Sequence, residues 1–544
     1  MKVILALDAG TTNVKAILVD QEANVLARSS IPLSIQFPKS GWVEQSAEAV
    51  WDAARQALEE CLAQGAGNEP VALGISNQRE TLVAWNRATG KPVAPCIVWQ
   101  CRRSAEICEA LRQKGLEETI RAKTGLQVDP LFPSSKVQWL LQNRPDIQKL
   151  AEAGNLCLGT VDAWLVWNLT GRKRFVTDYS NASRTQLFNL VKGAWDPELL
   201  DLFGVPASAL PEVVSSNELL GDAVLASGNR IPICGILGDS HAALLGHGVL
   251  ERGKVKATYG TGSSLMTLCD APESSEKGIS STIAWKFDRI QYAYEGNITV
   301  TGSGLSWALS FTGLDDLEPA VTHATEIEDN GNVYFVPALA GLGAPHWDEK
   351  ARGAIVGLSF GTRREHVIRG ALEAIAFQIK DVFDAMQRAA ATRLETLLTD
   401  GGASKNDWLM QFQADMLDRR VLRSHTAELS GLGAACLDWF LPEAGEVSDI
   451  ETVSIPSSTR FRLSTLLEWG RPAASRWHAM RPLLAFTELY VLVTPEIRQI
   501  RLPAALHGRA TTLASVSLLD RARRAWSSVH ARTSPLPRNQ IRLR

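Results

Sequence analysis

Near its start the chain reads Leu5-Ala6-Leu7-Asp8-Ala9-Gly10-Thr11-Thr12-Asn13-Val14-Lys15. The apolar runs at residues 3–7 and 14–19 flank this segment, and each is typical of a short buried strand. The segment between them predicts a tight turn, because glycine lets backbone N–H groups face inward beside two hydroxyls. Such a turn can hold a phosphate, although a single glycine turn is more often an ordinary chain reversal.

Two later segments have the same character. Thr258-Tyr259-Gly260-Thr261-Gly262-Ser263-Ser264 lies between two predicted strands, and Thr399-Asp400-Gly401-Gly402-Ala403-Ser404-Lys405-Asn406 runs from an apolar strand into a helix. The order and spacing of the three turns match those of actin-like ATPase folds, which clamp a nucleotide between two domains. The three turns together therefore favour a phosphate-binding function.

The rest of the chain alternates between the periods of strands and helices. A further strand is predicted at residues 71–75, and helices are predicted at 46–64, with Ser46 as its cap, and at 365–388. This mixture indicates an α/β protein. We expect an N-terminal domain at residues 1–246, a C-terminal domain at 247–480 and an irregular, Arg-rich tail at 481–544.

Composition restricts the class of partner. The 544 residues are 45% hydrophobic and 21% charged, with a net charge of −3, so neither a nucleic-acid nor a membrane partner is expected. The only strong charge bias is in residues 491–544, where ten Arg oppose one Glu and one Asp. The chain has no apolar run long enough to span a membrane. The eight cysteines form no C-x-x-C pair, which is typical of a reducing compartment and predicts a cytoplasmic protein.

Two aspartates and one ion pair are candidates for chemistry. Asp8 ends a strand inside the first turn, where it could hold Mg²⁺ through waters or cap the turn. Asp239 lies between an apolar strand and a helix, where it could accept a proton from a substrate hydroxyl or cap the helix. The adjacent Arg79 and Glu80 could be a solvated pair or could grip vicinal hydroxyls of a polyol.

The motifs resemble those of the FGGY carbohydrate kinases, and most closely those of the glycerol kinases within that family. The resemblance runs from Val3 to about Ala435. It is carried by Gly74-Ile75-Ser76-Asn77-Gln78-Arg79-Glu80-Thr81, Ile97-Val98-Trp99-Gln100, Gly341-Leu342-Gly343-Ala344-Pro345-His346-Trp347-Asp348, Ala351-Arg352-Gly353-Ala354-Ile355 and Asp400-Gly401-Gly402-Ala403. It implies two actin-like (ribonuclease H-like) ATPase domains with a nucleotide cleft between them, and ATP and Mg²⁺ as cofactors.

The resemblance also implies a role for particular residues. Asp239 corresponds to the general base that takes the proton of a primary hydroxyl, and Asp8 to the carboxylate on the Mg²⁺ side. The implied substrate-binding residues are Arg79, Glu80, Trp99, Leu131, Asp239 and Ser240. The implied nucleotide-binding residues are Thr11, Thr12, Asn13, Lys15, Thr261, Gly302, Ser306, Gly402 and Asn406.

Departures from the glycerol kinase pattern concentrate around the substrate. Leu131 replaces a Tyr, Ser240 a Gln and Ser264 a Phe, while on the nucleotide side Lys15 replaces an Arg and Ser306 a Gln. The smaller or apolar groups predict a roomier pocket. Glycerol is the first expected acceptor, and a larger polyol or ketopentose of the xylulose, ribulose or erythritol type is the alternative.

A function of another class, a non-catalytic actin-like ATP-binding sensor, is the remaining alternative. Asp239 together with Arg79 and Glu80 favours the kinase, because nucleotide-gated binding needs none of them. The sequence is compatible with a homo-oligomer. Beyond Ala435 the family pattern is interrupted by Asp438-Trp439-Phe440-Leu441-Pro442.

Overall fold

The computed structural model describes residues 1–272, 278–424, 426, 428–437 and a strand at 466–469. The predicted tail at 481–544 and the interruption at 438–442 lie outside the described residues. The eight cysteines all lie within these residues; every one is buried, and none forms a disulfide.

The first half of the chain contains fourteen strands and nine α-helices. The strands are β1 (Lys2–Ala9), β2 (Asn13–Val19), β3 (Val25–Pro32), β4 (Glu44–Gln45), β5 (Glu69–Asn77), β6 (Val83–Asn86), β7 (Cys96–Ile97), β8 (Leu156–Gly159), β9 (Val176–Asp178), β10 (Phe188–Asn189), β11 (Ala194–Trp195), β12 (Glu212–Val214), β13 (Asp222–Val224) and β14 (Arg230–Gly238). The helices are α1 (Ala47–Gln64), α2 (Ala105–Gln113), α3 (Glu117–Thr124), α4 (Pro133–Asn143), α5 (Pro145–Glu152), α6 (Val161–Leu169), α7 (Tyr179–Ala182), α8 (Pro197–Phe203) and α9 (Asp239–Gly246), and a 3₁₀ turn lies at Ala207–Ala209.

The main sheet of this half has six strands in the order β13-β14-β5-β1-β2-β3. Strand β1 pairs antiparallel with β2 and parallel with β5, which places the first glycine turn at the end of the central strand. The predicted strands and the predicted helix at 46–64 are confirmed. Helix α1 begins after Ser46, whose Oγ accepts a hydrogen bond from the Ala49 N–H at 3.1 Å, because the first helical N–H groups have no intrahelical partner.

The described part of the second half contains nine strands and five α-helices. The strands are β15 (Lys254–Tyr259), β16 (Ser263–Cys269), β17 (Ser280–Lys286), β18 (Ile290–Ile298), β19 (Tyr334–Val336), β20 (Ala354–Val356), β21 (Thr396–Asp400), β22 (Arg420–Ser424) and β23 (Leu466–Trp469). The helices are α10 (Gly302–Phe311), α11 (Leu317–Glu326), α12 (Arg364–Ala389), α13 (Asp407–Leu417) and α14 (Leu429–Ala435), with a 3₁₀ turn at Ala403–Lys405.

The second main sheet has seven strands in the order β17-β18-β16-β15-β21-β22-β23 and repeats the plan of the first. Its first strand, β15, is again flanked by an antiparallel hairpin partner on one side and a parallel strand on the other. Helix α12, predicted at 365–388, buries Ile375, Ile379 and Val382 in the core of this half. The predicted two-domain α/β architecture is confirmed, whereas the boundary at residue 246 stays a prediction.

Helix α14 connects the two halves. It follows β22 in the chain, yet it packs against α9, β1 and β5 of the first half. A Cβ on Gly433 would overlap the carbonyl oxygen of Ala242, so α14 and α9 approach each other at backbone distance. Ala242 lies in the first turn of α9, the helix that Asp239 begins.

Candidate active site

The second and third glycine turns lie side by side because the strands before them are neighbours. Strands β15 and β21 are parallel with Thr258 opposite Asp400, so the turns that follow leave the same edge of the sheet. Gly401 has φ +90°, and a Cβ there would meet the Tyr259 carbonyl oxygen. The Gly302 N–H donates to Gly260 O at 3.0 Å, which brings the start of α10 to the same place.

Asp239 is the first residue of α9 and lines a cleft of about 560 Å³. Its Oδ1 accepts a hydrogen bond from Arg79 Nε at 2.9 Å and one from the Ser240 N–H at 2.6 Å. The side chain is 37% exposed, so one carboxylate edge is fixed and the other is open to the cleft. The same cleft is lined by Ser240 and Gly402, both predicted from the sequence.

Asp8 ends β1 and accepts a hydrogen bond from Ser76 Oγ at 3.0 Å. Burial, together with the charge of Asp239, raises the pKa of Asp8 to about 6. Two carboxylates that repel each other in a partly buried site form an arrangement that a divalent cation would relieve. Among the described residues no cluster of three or more His, Cys, Asp or Glu could enclose a metal, so an ion here would take its other oxygens from water or phosphate.

Arg79 and Glu80 are buried, which contradicts the solvated-pair alternative. Arg79 Nη1 donates to Glu295 at 2.6 Å and Nη2 donates to Ser240 Oγ at 3.2 Å. The Glu80 carboxylate accepts from Arg184 Nε at 2.6 Å, and Arg184 also forms an ion pair with Glu295 at 2.7 Å. Arg79, Glu80 and Arg184 belong to the first half of the chain and Glu295 to the second, so the cluster spans the two halves.

Glu295 and Arg184 were missed by the sequence reasoning. Each is fully buried. Burial opposes ionisation of Glu295, but Arg184 and Arg79 outweigh it and hold the pKa of that carboxyl well below its usual range. One feature of the sequence could have identified Glu295. It is the single charged residue in the segment Tyr292-Ala293-Tyr294-Glu295-Gly296, and a core strand tolerates a charged residue only when its charge is paired.

The remaining predicted substrate residues lie around this cluster. Trp99 Nε1 donates to Thr11 Oγ1 at 3.0 Å, which joins the substrate side to the first glycine turn. Ser240 Oγ donates to Ser264 Oγ at 3.2 Å, and Ser264 Oγ donates to Glu295 at 3.2 Å. Leu131 is half-buried in the turn before α4.

The predicted nucleotide residues fall into three groups. Thr12 and Asn13 are joined at the first turn by a 3.1 Å hydrogen bond, and Lys15 Nζ reaches Glu428 of the second half at 3.1 Å. Thr261, Gly302 and Ser306 lie at the start of α10, where Ser306 Oγ donates to Gly302 O at 3.1 Å. Asn406 caps α13, four residues beyond Gly402, by accepting from the Leu409 N–H at 2.7 Å. The contacts of these groups with a nucleotide stay a prediction.

Two further polar groups in or beside the cleft were not predicted. Lys256 on β15 is buried and lines the cleft. Asp400, at the end of β21, lies 2.8 Å from His247 Nε2. Burial disfavours its charge, yet the hydrogen bond and charge of His247, together with Lys256, hold the pKa of Asp400 below its usual value. The sequence offered no signal beyond Asp400 being part of the third turn.

Comparison with known proteins gives the family. The model of the FGGY carbohydrate kinase N-terminal domain matches residues 3–246, and that of the C-terminal domain matches residues 255–439. The chain belongs to the FGGY family of carbohydrate kinases. It is therefore a phosphotransferase of a family whose members act on small sugars or polyols.

Similar FGGY kinases include an apulose kinase of Pectobacterium atrosepticum, 48% identical over 80% of this chain and 88% of that protein. A glycerol kinase of Desulforamulus reducens is 47% identical over 80% of this chain and 88% of that protein. The crystal structure of Plasmodium falciparum glycerol kinase with ADP superposes with a TM-score of 0.80 at 31% identity, covering 92% of this chain and 99% of that one. No helix of the described residues is long and apolar enough to cross a membrane.

Proposed function

We propose that this FGGY kinase transfers the γ-phosphoryl group of ATP to a primary hydroxyl of a small polyol or ketose, with Asp239 as the proton acceptor. The observation that carries the proposal is the state of the Asp239 carboxylate. Its Oδ1 is fixed by Arg79 and the Ser240 N–H, while Oδ2 accepts no hydrogen bond from the described residues and the side chain is open to the cleft.

This arrangement suits phosphoryl transfer. As the acceptor oxygen forms its bond to phosphorus and the bond to the ADP oxygen breaks, the hydroxyl proton passes to Asp239 Oδ2. The Arg79 contact orients the carboxylate, because it holds Oδ1 and leaves Oδ2 to receive the hydroxyl. Asp8 would hold Mg²⁺ through water, and the ion would supply charge neutralisation of the phosphates.

Two observations bear on the acceptor. Glycerol kinases are prominent among the relatives, which supports glycerol, but an apulose kinase is equally similar. Ser240 and Ser264 are bonded to each other beside Arg79, where the glycerol kinase pattern has Gln and Phe. Smaller side chains leave room for additional carbons and hydroxyls, so a four- or five-carbon ketose or polyol is the second candidate.

The test is a coupled ADP-release assay with glycerol, xylulose, ribulose, erythritol and apulose. We expect turnover with at least one member and a kcat/KM for a larger acceptor at least comparable to that for glycerol. Glycerol ahead of the others by more than a hundredfold would contradict the larger pocket. If the protein binds ATP but turns over none of these acceptors, the alternative function as a non-catalytic ATP-binding sensor would be favoured.

The proposal that Ser240 and Ser264 leave room for a larger acceptor can be tested by substituting these two residues. Ser240→Gln combined with Ser264→Phe should lower kcat/KM for the best larger acceptor about tenfold or more and spare glycerol, because the added atoms occupy the space of the extra carbons. Ser310→Gln, on the exposed face of α10, is the matched control and should change neither value.

A further inference from the structure

Lys136 is a charged residue that has no role in the sequence motifs or in the proposed phosphoryl transfer. It lies in the first turn of α4 and is fully buried. Among the described residues it forms no ion pair, and its hydrogen bonds go to backbone carbonyl groups only. An unpaired buried ammonium is costly, and a cation at the positive end of a helix is additionally unfavourable. Stability alone therefore does not account for a lysine at this position.

The three acceptors of Lys136 come from three separate segments. Lys136 Nζ donates to Leu131 O at 2.5 Å, to Glu80 O at 3.1 Å and, more weakly, to Trp99 O at 3.5 Å. An ammonium group has three N–H donors, and each has one carbonyl here. Together with Arg79, these three residues are the predicted substrate residues that lie outside the Asp239 helix.

The backbone at Glu80 needs such support. Glu80 has φ +59°, a left-handed conformation that is unfavourable for a residue with a side chain. Its carboxylate is fixed by Arg184 and its carbonyl by Lys136, so the residue is held at both ends. The neighbouring segments are cross-linked as well, since the Trp99 N–H donates to Thr81 Oγ1 at 3.2 Å.

We propose that Lys136 is a positioning residue for the acceptor substrate, which holds the backbones at Glu80, Trp99 and Leu131 in one fixed arrangement through its three hydrogen bonds. Because Lys136 is fully buried, it does not touch the acceptor itself. This inference rests on the proposed function for the identity of the acceptor pocket. Its structural consequence, that one side chain orders three segments, is measurable without any acceptor.

The test compares Lys136→Met with Lys123→Met in the full chain. Methionine matches the lysine stem in length but donates no hydrogen bond. Lys123 is the matched control, because it lies in the same half of the chain, in α3, and is paired with Asp196 and Glu198 away from the predicted pocket. Both variants and the wild type are studied by hydrogen–deuterium exchange, by thermal melting and by steady-state kinetics.

For Lys136→Met we expect faster amide exchange in residues 79–82, 97–100 and 129–132, with α1 unchanged. The KM for the acceptor should rise about tenfold, while the KM for ATP stays within about twofold, because only the acceptor side loosens. The melting temperature should stay level or rise, since an unpaired buried charge is removed. Lys123→Met should lower the melting temperature and leave both KM values unchanged.

Unchanged exchange in the three segments would overturn the proposal, as would equal changes in both KM values. Failure of Lys136→Met to fold would overturn it too, because Lys136 would then be a requirement of the domain rather than of the pocket. Absence of turnover in the wild type would instead count against the proposed function, and the exchange data would still decide whether Lys136 orders the three segments.

Discussion

At the scale of single residues, the proposed chemistry depends on two aspartates with different surroundings. Asp239 is held by Arg79 and remains open to the cleft, whereas Asp8 is held by Ser76 at the end of a buried strand. The first is suited to accept a proton and the second to face a cation. Each assignment has a variant that keeps the shape of the side chain and removes its charge.

Asp239→Asn should lower kcat by about 10²–10⁴ and leave ATP binding nearly unchanged, because the proton acceptor acts on the acceptor side. The amide oxygen can still accept from Arg79 and from the Ser240 N–H, so the fold is kept. Turnover numbers, ATP affinity and melting temperature are to be measured on one preparation, with the exposed Asp146→Asn as the control. Turnover close to that of the wild type would contradict the catalytic role and leave helix capping as the explanation.

Asp8→Asn should stabilise the metal-free protein at pH 8 while abolishing Mg²⁺-dependent turnover. The folded pKa of Asp8, about 6, is above its unfolded value of 3.8, so the folded state holds the proton more tightly. The wild-type carboxylate is therefore destabilising above pH 6, by roughly 1–3 kcal/mol, and this cost disappears as the pH falls toward 4.

The measurement is urea unfolding of both proteins without Mg²⁺ at pH 8 and pH 5. The stability advantage of Asp8→Asn should shrink by roughly half between the two. An advantage that is the same at both pH values, or a variant less stable than the wild type at pH 8, would show that the Asp8 charge is not destabilising.

At the scale of elements, the position of Asp239 depends on how α9 meets α14. The two helices touch through Ala242 and Gly433, with no side chain between the backbones. Because α9 belongs to the first half of the chain and α14 follows β22 of the second, this contact joins the two halves at the cleft that both helices line. Its geometry leaves no room for even one methyl group.

Gly433→Ala should therefore lower the free energy of unfolding by about 1–3 kcal/mol, since the added Cβ forces the helices apart. Gly361→Ala is the control, because a Cβ at that exposed position meets only Ser359 Oγ at 3.8 Å. Thermal melting of both variants is the measurement. If Gly433→Ala melted like the control, the close approach of α9 and α14 would not be required.

At the scale of the whole molecule, a buried ionic cluster joins the two halves of the chain. Glu295 of β18 lies between Arg79 and Arg184, which belong to the first half. Arg79 also binds Asp239. The orientation of the proposed proton acceptor therefore depends, through Arg79, on Glu295 of the other half. Any rearrangement that removed Glu295 would leave two buried arginines short of a carboxylate.

Glu295→Gln should lower the free energy of unfolding by about 3–5 kcal/mol, because two buried guanidinium groups lose their shared anion. Since the folded pKa of Glu295 lies below its usual value, its contribution is present above about pH 4.5 and is lost as the pH falls further. Glu349→Gln, which breaks an ion pair with the partly exposed Arg102, is the control and should cost at most about 1 kcal/mol. Equal losses in urea unfolding would show that the cluster is no stronger than a surface pair.

The sequence by itself determined the elements whose signals are local. Strands β1, β2 and β5, helices α1 and α12 and the three glycine turns follow from apolar periodicity, capping and turn chemistry within a few neighbouring residues. The family resemblance added the two-domain architecture, and the positions of Asp8 and Asp239 at strand ends followed from the motifs. These features depend on residues that are close in the chain.

Only the tertiary structure decided which distant residues meet. Glu295 and Arg184 surround Arg79 from 216 and 105 positions away along the chain, and Lys136 collects carbonyl groups from three segments. A charged residue within an apolar strand or helix carries no local sign of its partner, because burial and pairing arise only when the sheets and helices pack. The solvated-pair alternative for Arg79 and Glu80 was wrong for this reason, since the two charges are neutralised by partners from elsewhere in the fold.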